Sequence, residues 1–239
     1  MDIRKSAASL AILAQVLAFT APAAVAQNSG TAPTSSEQAL IAHRAIQGIQ
    51  DRLAEADATI SALEQSAAQL QGDARAKADA ALQALRAKRD AYRDQAKAAV
   101  ANITSWTKAQ AADAQKELDD DWASYQVARD EYLDSVKADL ATRQAALNAE
   151  LDASRQSWRS SIEDLRVRAQ TLSAEQRAAI EARITALKAD ADNAKTRVGR
   201  LKEASGEAWK TAQKSLSDAK TLFDDSYASI RKTIEDAVK

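Results

Sequence analysis

Apolar residues recur along most of the chain at alternating steps of three and four, which places them on one stripe of a helix. The first stripe is Ile46, Ile49, Leu53, Ala56, Ile60, Leu63, Ala67 and Leu70. A second keeps one heptad register through Leu82, Leu85, Arg89, Tyr92, Ala96, Ala99, Ile103 and Trp106. The stripe weakens over Gln110–Glu117, which is nearly all Ala and polar. It resumes at Leu118, Trp122, Tyr125, Tyr132 and Val136 and drifts on through Leu140, Leu147, Leu151, Trp158, Ile162 and Leu165. Ile180, Ile184, Leu187, Ala191, Ala194, Val198 and Leu201 make another, and Leu216, Ala219, Phe223, Ile230 and Ile234 carry it to the end. The pattern predicts an all-α chain of long, Ala-rich amphipathic helices, packed as antiparallel coiled-coil hairpins or an elongated helical bundle.

Punctuation divides these stripes. Ser35 with Gln38 and Ser173 with Gln176 each read as a capping box, in which hydroxyl and amide satisfy backbone donors left free at a helix start. Gln71-Gly72-Asp73 is the first expected break, and Ser205-Gly206 the last. Asn102 and Ser205 each stand four residues before a Trp and read as caps. From Asp73 to Val198 the chain holds 126 residues without Gly or Pro. One straight helix of that length would measure about 190 Å. Folding back buries the seams locally, and the candidate turns are near 72, within 102–117 and at 173. The expected organisation is a signal peptide over 1–26, a polar leader over 27–36, a long helical region over 37–172 and a C-terminal helical region over 173–239.

The N-terminus begins Met1-Asp2-Ile3-Arg4-Lys5, runs apolar from about Ala7 to Thr20 and ends at Ala24-Val25-Ala26. A short basic region, an apolar stretch and an Ala-x-Ala site read as a secretory signal peptide cut between Ala26 and Gln27. Gln15, Pro22 and the small-residue end favour cleavage over a retained anchor. The expected location is the periplasm, with secretion further out as the alternative. Without Asp2, Arg4 and Lys5 the rest of the chain carries 31 basic and 33 acidic residues. That near balance, with the two signs interleaved, argues against nucleic-acid binding. The chain has no Cys, so an exported form needs no oxidative folding and carries no lipid on a cysteine.

Composition narrows the class further. Alanine supplies 58 of 239 residues, against five Gly and two Pro. Sheets, sandwiches and barrels need more turn residues than that. His43 is the only histidine, and a metal site or catalytic triad would need partners at set spacing. Asp119-Asp120-Asp121 and Asp224-Asp225 are the densest acidic runs. Successive Asp on a helix point apart, so a solvated face is expected rather than a calcium loop. Trp106, Trp122, Trp158 and Trp209, with Tyr92, Tyr125 and Tyr132, lie on or beside the stripes and read as core filling between Ala-lined helices. No serine nucleophile motif, glycine-rich phosphate loop or paired catalytic acids can be read. The expectation is therefore no catalytic, cofactor-binding or metal-binding residues, and no enzyme.

Trp106-x-x-Ala-Gln followed by Asp120-Asp121-Trp122-Ala123-Ser124 is matched by Trp209-x-x-Ala-Gln followed by Asp225-Ser226-Tyr227-Ala228-Ser229, with a gap of two residues between blocks. Duplication and a shared amphipathic pattern account for this weak repeat equally well. The segment Leu201-Lys202-Glu203-Ala204-Ser205-Gly206-Glu207-Ala208-Trp209 resembles small bacterial coiled-coil proteins named as stress-response proteins, whose C-terminal half carries a similar Ala-Ser-Gly-x-Ala-Trp segment. The likeness covers roughly residues 175–239, with a fainter echo around 75–132, and implies a helical hairpin without established catalytic residues. This chain departs from that group in its export signal and its greater length. The functional expectation is an exported, non-enzymatic coiled-coil protein with a structural, interaction or chaperone-like role in envelope stress. Its partner would be itself or another envelope protein, with no nucleic acid. The alternative is a reversible amphipathic binder of a lipid or membrane surface.

Overall fold

In the computed structural model the chain is all-helical, as the heptad pattern predicts. The structure describes residues 35–102, 105–199, 201 and 205–238, with side chains from Ala45 onward other than those of Lys108 and Arg197. The expected signal peptide and the expected leader up to residue 34 lie outside the described residues, as do Ile103, residues 202–204 and the side chain of His43. Among the described residues six helices follow one another: α1 (Ser35–Ala67), α2 (Gly72–Asn102), α3 (Lys108–Ser135), α4 (Leu140–Ala169), α5 (Ala174–Val198) and α6 (Gly206–Val238).

The turns show local chemistry deciding where long helices stop. Gly72 sits at φ +55°, a left-handed conformation that suits glycine, and α2 starts there. Ser173 caps α5 through the expected box, its Oγ accepting from the Gln176 backbone. Ser205 caps α6, its Oγ accepting from Ala208 N at 3.1 Å, while Gly199 at φ +76° closes α5. Ser35 and Ser36 already belong to α1, so helix begins before residue 37.

Two expectations are corrected. Asn102 does not open a helix. It ends α2, and its side-chain amide donates to Ala98 O at 2.8 Å. The cap of α3 is Thr107, which forms a capping box with Gln110. The weakened stripe at 110–117 is consequently helical throughout, because Ala, Gln, Lys and Glu are strong helix formers whether or not they are apolar. The second correction is a turn where the drifting stripe runs from Val136 to Leu140. Lys137 adopts φ +51°, Ala138 N bonds to Leu133 O at 2.8 Å and Lys137 N to Asp134 O at 3.1 Å. Those two bonds form a Schellman closure. Asp139 then caps α4 by accepting from Thr142 N, and Leu140 is exposed rather than on a buried stripe.

The closely packed pairs are α1 with α2 and α4, α2 with α3, α4 with α5 and α6, and α5 with α6. The helices thus form two consecutive triplets joined through α1 and α4. Side-chain bonds fix the directions. Tyr125 Oη donates to Ala56 O at 3.2 Å and Tyr132 Oη to Leu63 O at 3.3 Å, so α1 and α3 run parallel in one heptad register. Glu150 meets Gln213 and Asp164 meets Tyr227, so α4 and α6 are parallel too. Gln47 pairs with Ser161 and Ser154 with Glu55, so α1 and α4 are antiparallel. The weak sequence repeat falls on equivalent places, with Trp122 on the third helix of the first triplet and Tyr227 on that of the second.

The predicted stripes line the core. Leu63, Leu85, Tyr125, Tyr132, Leu147, Leu165 and Ile184 are fully buried, and Ala67, Ala78, Ala146 and Ala169 let neighbouring backbones approach. Gly48 is an exception to close packing: it lies inside α1 and a Cβ there would meet nothing within 4 Å. Gly48→Ala should therefore stabilise the protein by about 0.5–1 kcal/mol, through helix propensity and a less flexible unfolded chain. Urea unfolding would show this as a higher midpoint at unchanged slope.

Candidate functional site

Four helices enclose a buried polar cluster where the heptad seams place charged residues instead of apolar ones. Arg129 of α3 and Glu150 of α4 form an ion pair at 2.8 Å with side chains only 3% and 5% exposed. Glu150 also accepts from Gln213 Nε2 of α6 at 3.1 Å, and from Thr59 Oγ1 of α1 at 3.4 Å. The Arg129 guanidinium reaches Asp130 at 2.9 Å and lies 5.2 Å from the centre of the Trp209 ring. Trp209 Nε1 in turn donates to Asp130 Oδ1 at 2.8 Å. One turn along, Glu55 of α1 accepts from Ser154 Oγ at 2.8 Å and from Lys220 Nζ of α6 at 2.6 Å. Each buried charge thus has an opposite charge and further hydrogen bonds, which is what burial of an ion requires.

Above this cluster a groove runs between α3 and α6. The two helices touch at Trp209–Asp130 and Arg129–Gln213. The cavity between them has a volume of about 940 Å³. Its α3 wall includes Trp122, Gln126 and Val127, its α6 wall Lys210, Lys214, Ser217 and Thr221, and its floor Gly48, Asp51, Arg52, Glu55 and Trp158. At the α1 end, Arg52 pairs with Asp119 at 2.7 Å and lies over Trp122, which stacks on Tyr125 at 5.0 Å. The Tyr92 hydroxyl beside them is buried without a hydrogen-bond partner. A second channel of about 790 Å³, between α1 and α4, is lined by Ala54, Ala58, Ala149, Ala153 and Ser157.

Asp51 sits where the two cavities meet and bonds to Ser157 Oγ. Burial holds its carboxyl group up at about 6, against an ordinary 3.8, and the nearby Glu55 charge pushes the same way. Asp224 of α6 is also raised to about 6, by desolvation of its carboxyl group and then by the Asp51 charge. A raised carboxyl pKa means that the folded state binds the proton more tightly than the unfolded chain does. Stability therefore rises as pH falls through 6 towards 4 and is lost as pH rises again. Asp224 is exposed by area, so solvent screening leaves Asp51 the larger share. Melting curves between pH 7 and 4.5 should show stabilisation at the acid end, worth on the order of 1–2 kcal/mol. Asp51→Asn should flatten that slope.

The sequence-singled residues distribute as follows. Trp158 and Trp209 are buried, and Trp106 and Trp122 partly buried against the core, as the core-filling reading expects. Asp119 pairs with Arg52 and Asp120 with Lys116, pointing apart as successive helical residues do. Asp224 is drawn into the groove beside Asp51. Arg129, Glu150, Glu55, Ser154 and Lys220 were not read from the sequence, although Arg129 occupies the step between Tyr125 and Tyr132, and Ser154 that between Leu151 and Trp158. A charged or polar residue on an otherwise apolar stripe is the signal that finds them. Among the described residues, no group of three or more His, Asp or Glu side chains is arranged to hold a metal ion, and no helix is long and apolar enough to cross a membrane. No known family model matches the chain, and no curated protein or solved structure is significantly similar to it.

Proposed function

We propose that the chain is a non-enzymatic helical scaffold of the cell envelope that receives one amphipathic helix of another envelope protein in the groove between α3 and α6. The observation that carries this reading is the groove itself, an open channel between two helical walls over a floor where Arg52 is paired with Asp119 and Glu55 with Lys220. A small-molecule site orients its ligand with unpaired polar groups, whereas a helix-in-groove contact needs a long channel, apolar anchors and rim charges. Trp122 and Val127 offer the apolar wall, and Val127 is 56% exposed. On the opposite wall Lys210 offers a cation to a partner carboxylate, and Lys214, one helical turn on, carries its charge beside Asp218 at 2.8 Å. The envelope location rests on the basic, apolar and Ala-x-Ala order of residues 1–26. A chaperone-like or stress-linked role would use the same surface. Binding to a lipid surface draws less support, because the exposed large apolar residues, such as Val100, Val167 and Leu222, lie on different helices.

Photocrosslinking in intact cells tests the proposal. A photoreactive residue at Val127 should give one dominant adduct, and one at Val167 on the outer face of α4 should not. Lys210→Glu with Lys214→Glu should suppress the Val127 adduct. Equal adducts from both positions, or an adduct indifferent to charge reversal, would contradict it.

A further inference from the structure

We propose that the carboxyl cluster of Asp51, Glu55 and Asp224 around Lys220 is a proton-operated latch that sets the width of the groove by drawing α6 towards α1. At this point Phe223 seats α6 on Trp158 of α4, whereas the link from α6 to α1 is polar. α6 is seated on α4 and α5, but α1 and α6 are not among the closely packed pairs. Lys220 Nζ of α6 reaches across to Glu55 Oε2 of α1 at 2.6 Å. Between α3 and α6 the ties at Trp209–Asp130 and Arg129–Gln213 lie at the closed end of the groove. The latch lies about three helical turns further along α6, where Lys220 and Asp224 line the groove and a displacement of α6 changes its opening.

The charges around Asp51 set the direction. From α6 it faces Lys220 and Asp224, with Asp225 adding to the charge felt by Asp224. From its own helix come Glu55 and Arg52, and Arg52 is engaged by Asp119. From α4, Ser157 donates a hydrogen bond, and the carboxylates Asp152 and Asp164 line the adjoining channel. Asp164 is held by Arg168 and Tyr227. From α3, Arg129 and Asp130 are committed to each other, and on the α2 side Arg89 and Arg93 bind Asp57. Across the α1–α6 joint Lys220, bonded to Glu55, thus also faces the carboxyl groups of Asp51 and Asp224. When Asp51 and Asp224 are ionised the joint carries excess negative charge and α6 stands off. When they are protonated the repulsion vanishes, the Glu55–Lys220 pair remains, and the groove narrows. Both groups titrate near 6, so the change falls within a mildly acidic range.

The absence of cysteine makes the test direct. Gly48→Cys and Thr221→Cys place one spin label on the floor and one on the α6 wall, both at exposed groove positions. Electron-spin distance measurements should show the pair closer at pH 5 than at pH 8 by about 2 Å, the scale of ordinary helix shifts. The midpoint should lie near 6, with unchanged far-ultraviolet circular dichroism. Adding Asp51→Asn and Asp224→Asn should hold the short distance at both pH values. The single Asp51→Asn variant serves if the double one does not fold. A distance that stays constant between pH 5 and 8, or moves equally in the Asn variants, would overturn the latch. The distance reports on the groove whether or not a partner helix occupies it, so failure of the crosslinking test and failure of the latch are separate results.

Discussion

Removing either partner of the Arg129–Glu150 pair should cost the protein about 3–5 kcal/mol, because the charge left behind stays buried without compensation. For a chain of this length that lowers the melting temperature by about 10 °C or more. The expectation follows from the side chains being 3% and 5% exposed and from the bonds they share with Thr59, Gln213 and Asp130. Glu150→Gln should be milder than Glu150→Ala, since an amide keeps an acceptor for Arg129 and fills the same space. Replacing both partners, Arg129→Met with Glu150→Leu, should recover most of the loss, since desolvating two ions offsets much of their attraction. Thermal unfolding of these three variants and of Arg129→Met alone measures this. A double variant no better than the worse single one would show that the pair is worth more than its desolvation.

The second large effect is at Trp158. Its ring is 3% exposed and stacks on Phe223 at 4.9 Å with 17° between planes, and Phe223 continues the stack to Tyr227 at 6.4 Å. This is the main aromatic contact between α4 and α6 and also the floor of the groove. Around it the seams are rich in Ala and Ser, which cannot move in to fill a hole. Trp158→Ala should therefore cost about 3–5 kcal/mol, near the upper end for a core truncation. Trp158→Phe keeps the stack and should cost less than half as much. Trp106→Ala, at a ring only partly buried against the smaller cluster of Ile49, Tyr92, Ala96, Ala99 and Leu118, should cost less than Trp158→Ala. Chemical denaturation of the three variants gives the ranking.

What the sequence disclosed and what it hid have separable physical causes. Helicity and the core faces were legible because Ala-rich heptads satisfy both propensity and periodicity: Leu63, Leu85, Leu147, Ile184 and Leu216 lie buried where the stripes put them. Turns were legible where residue chemistry forces them, as at Gly72 and at the Ser173–Gln176 box. They were hidden where the signal was ambiguous. Thr107–Gln110 is as good a box as Ser173–Gln176, but the fading stripe beside it drew attention to the wrong segment. The turn at Lys137 uses a non-glycine residue in a left-handed conformation, held by the Schellman bonds and by Arg143, whose guanidinium reaches Leu133 O, Ala138 O and Asp134. Nothing in the identity of Lys137 announces that conformation. The groove and its charge network depend on which helices become neighbours, and Glu55 meets Lys220 across 165 positions. Heptad spacing places Arg129 on a buried face but does not say that Glu150 will face it.

The chain folds back between successive helices into two helix triplets, so that α3 and α6 border one groove instead of following one another along a rod. Small-angle X-ray scattering from the chain beginning at Gln27 tests it most directly. The longest helices have 33 residues and span about 50 Å. The folded-back monomer should give a radius of gyration of about 20 Å, slightly above that of a compact domain of this size, and a maximum dimension well below 100 Å. A maximum dimension near 190 Å, the length of an unbroken helix from Asp73 to Val198, would contradict it.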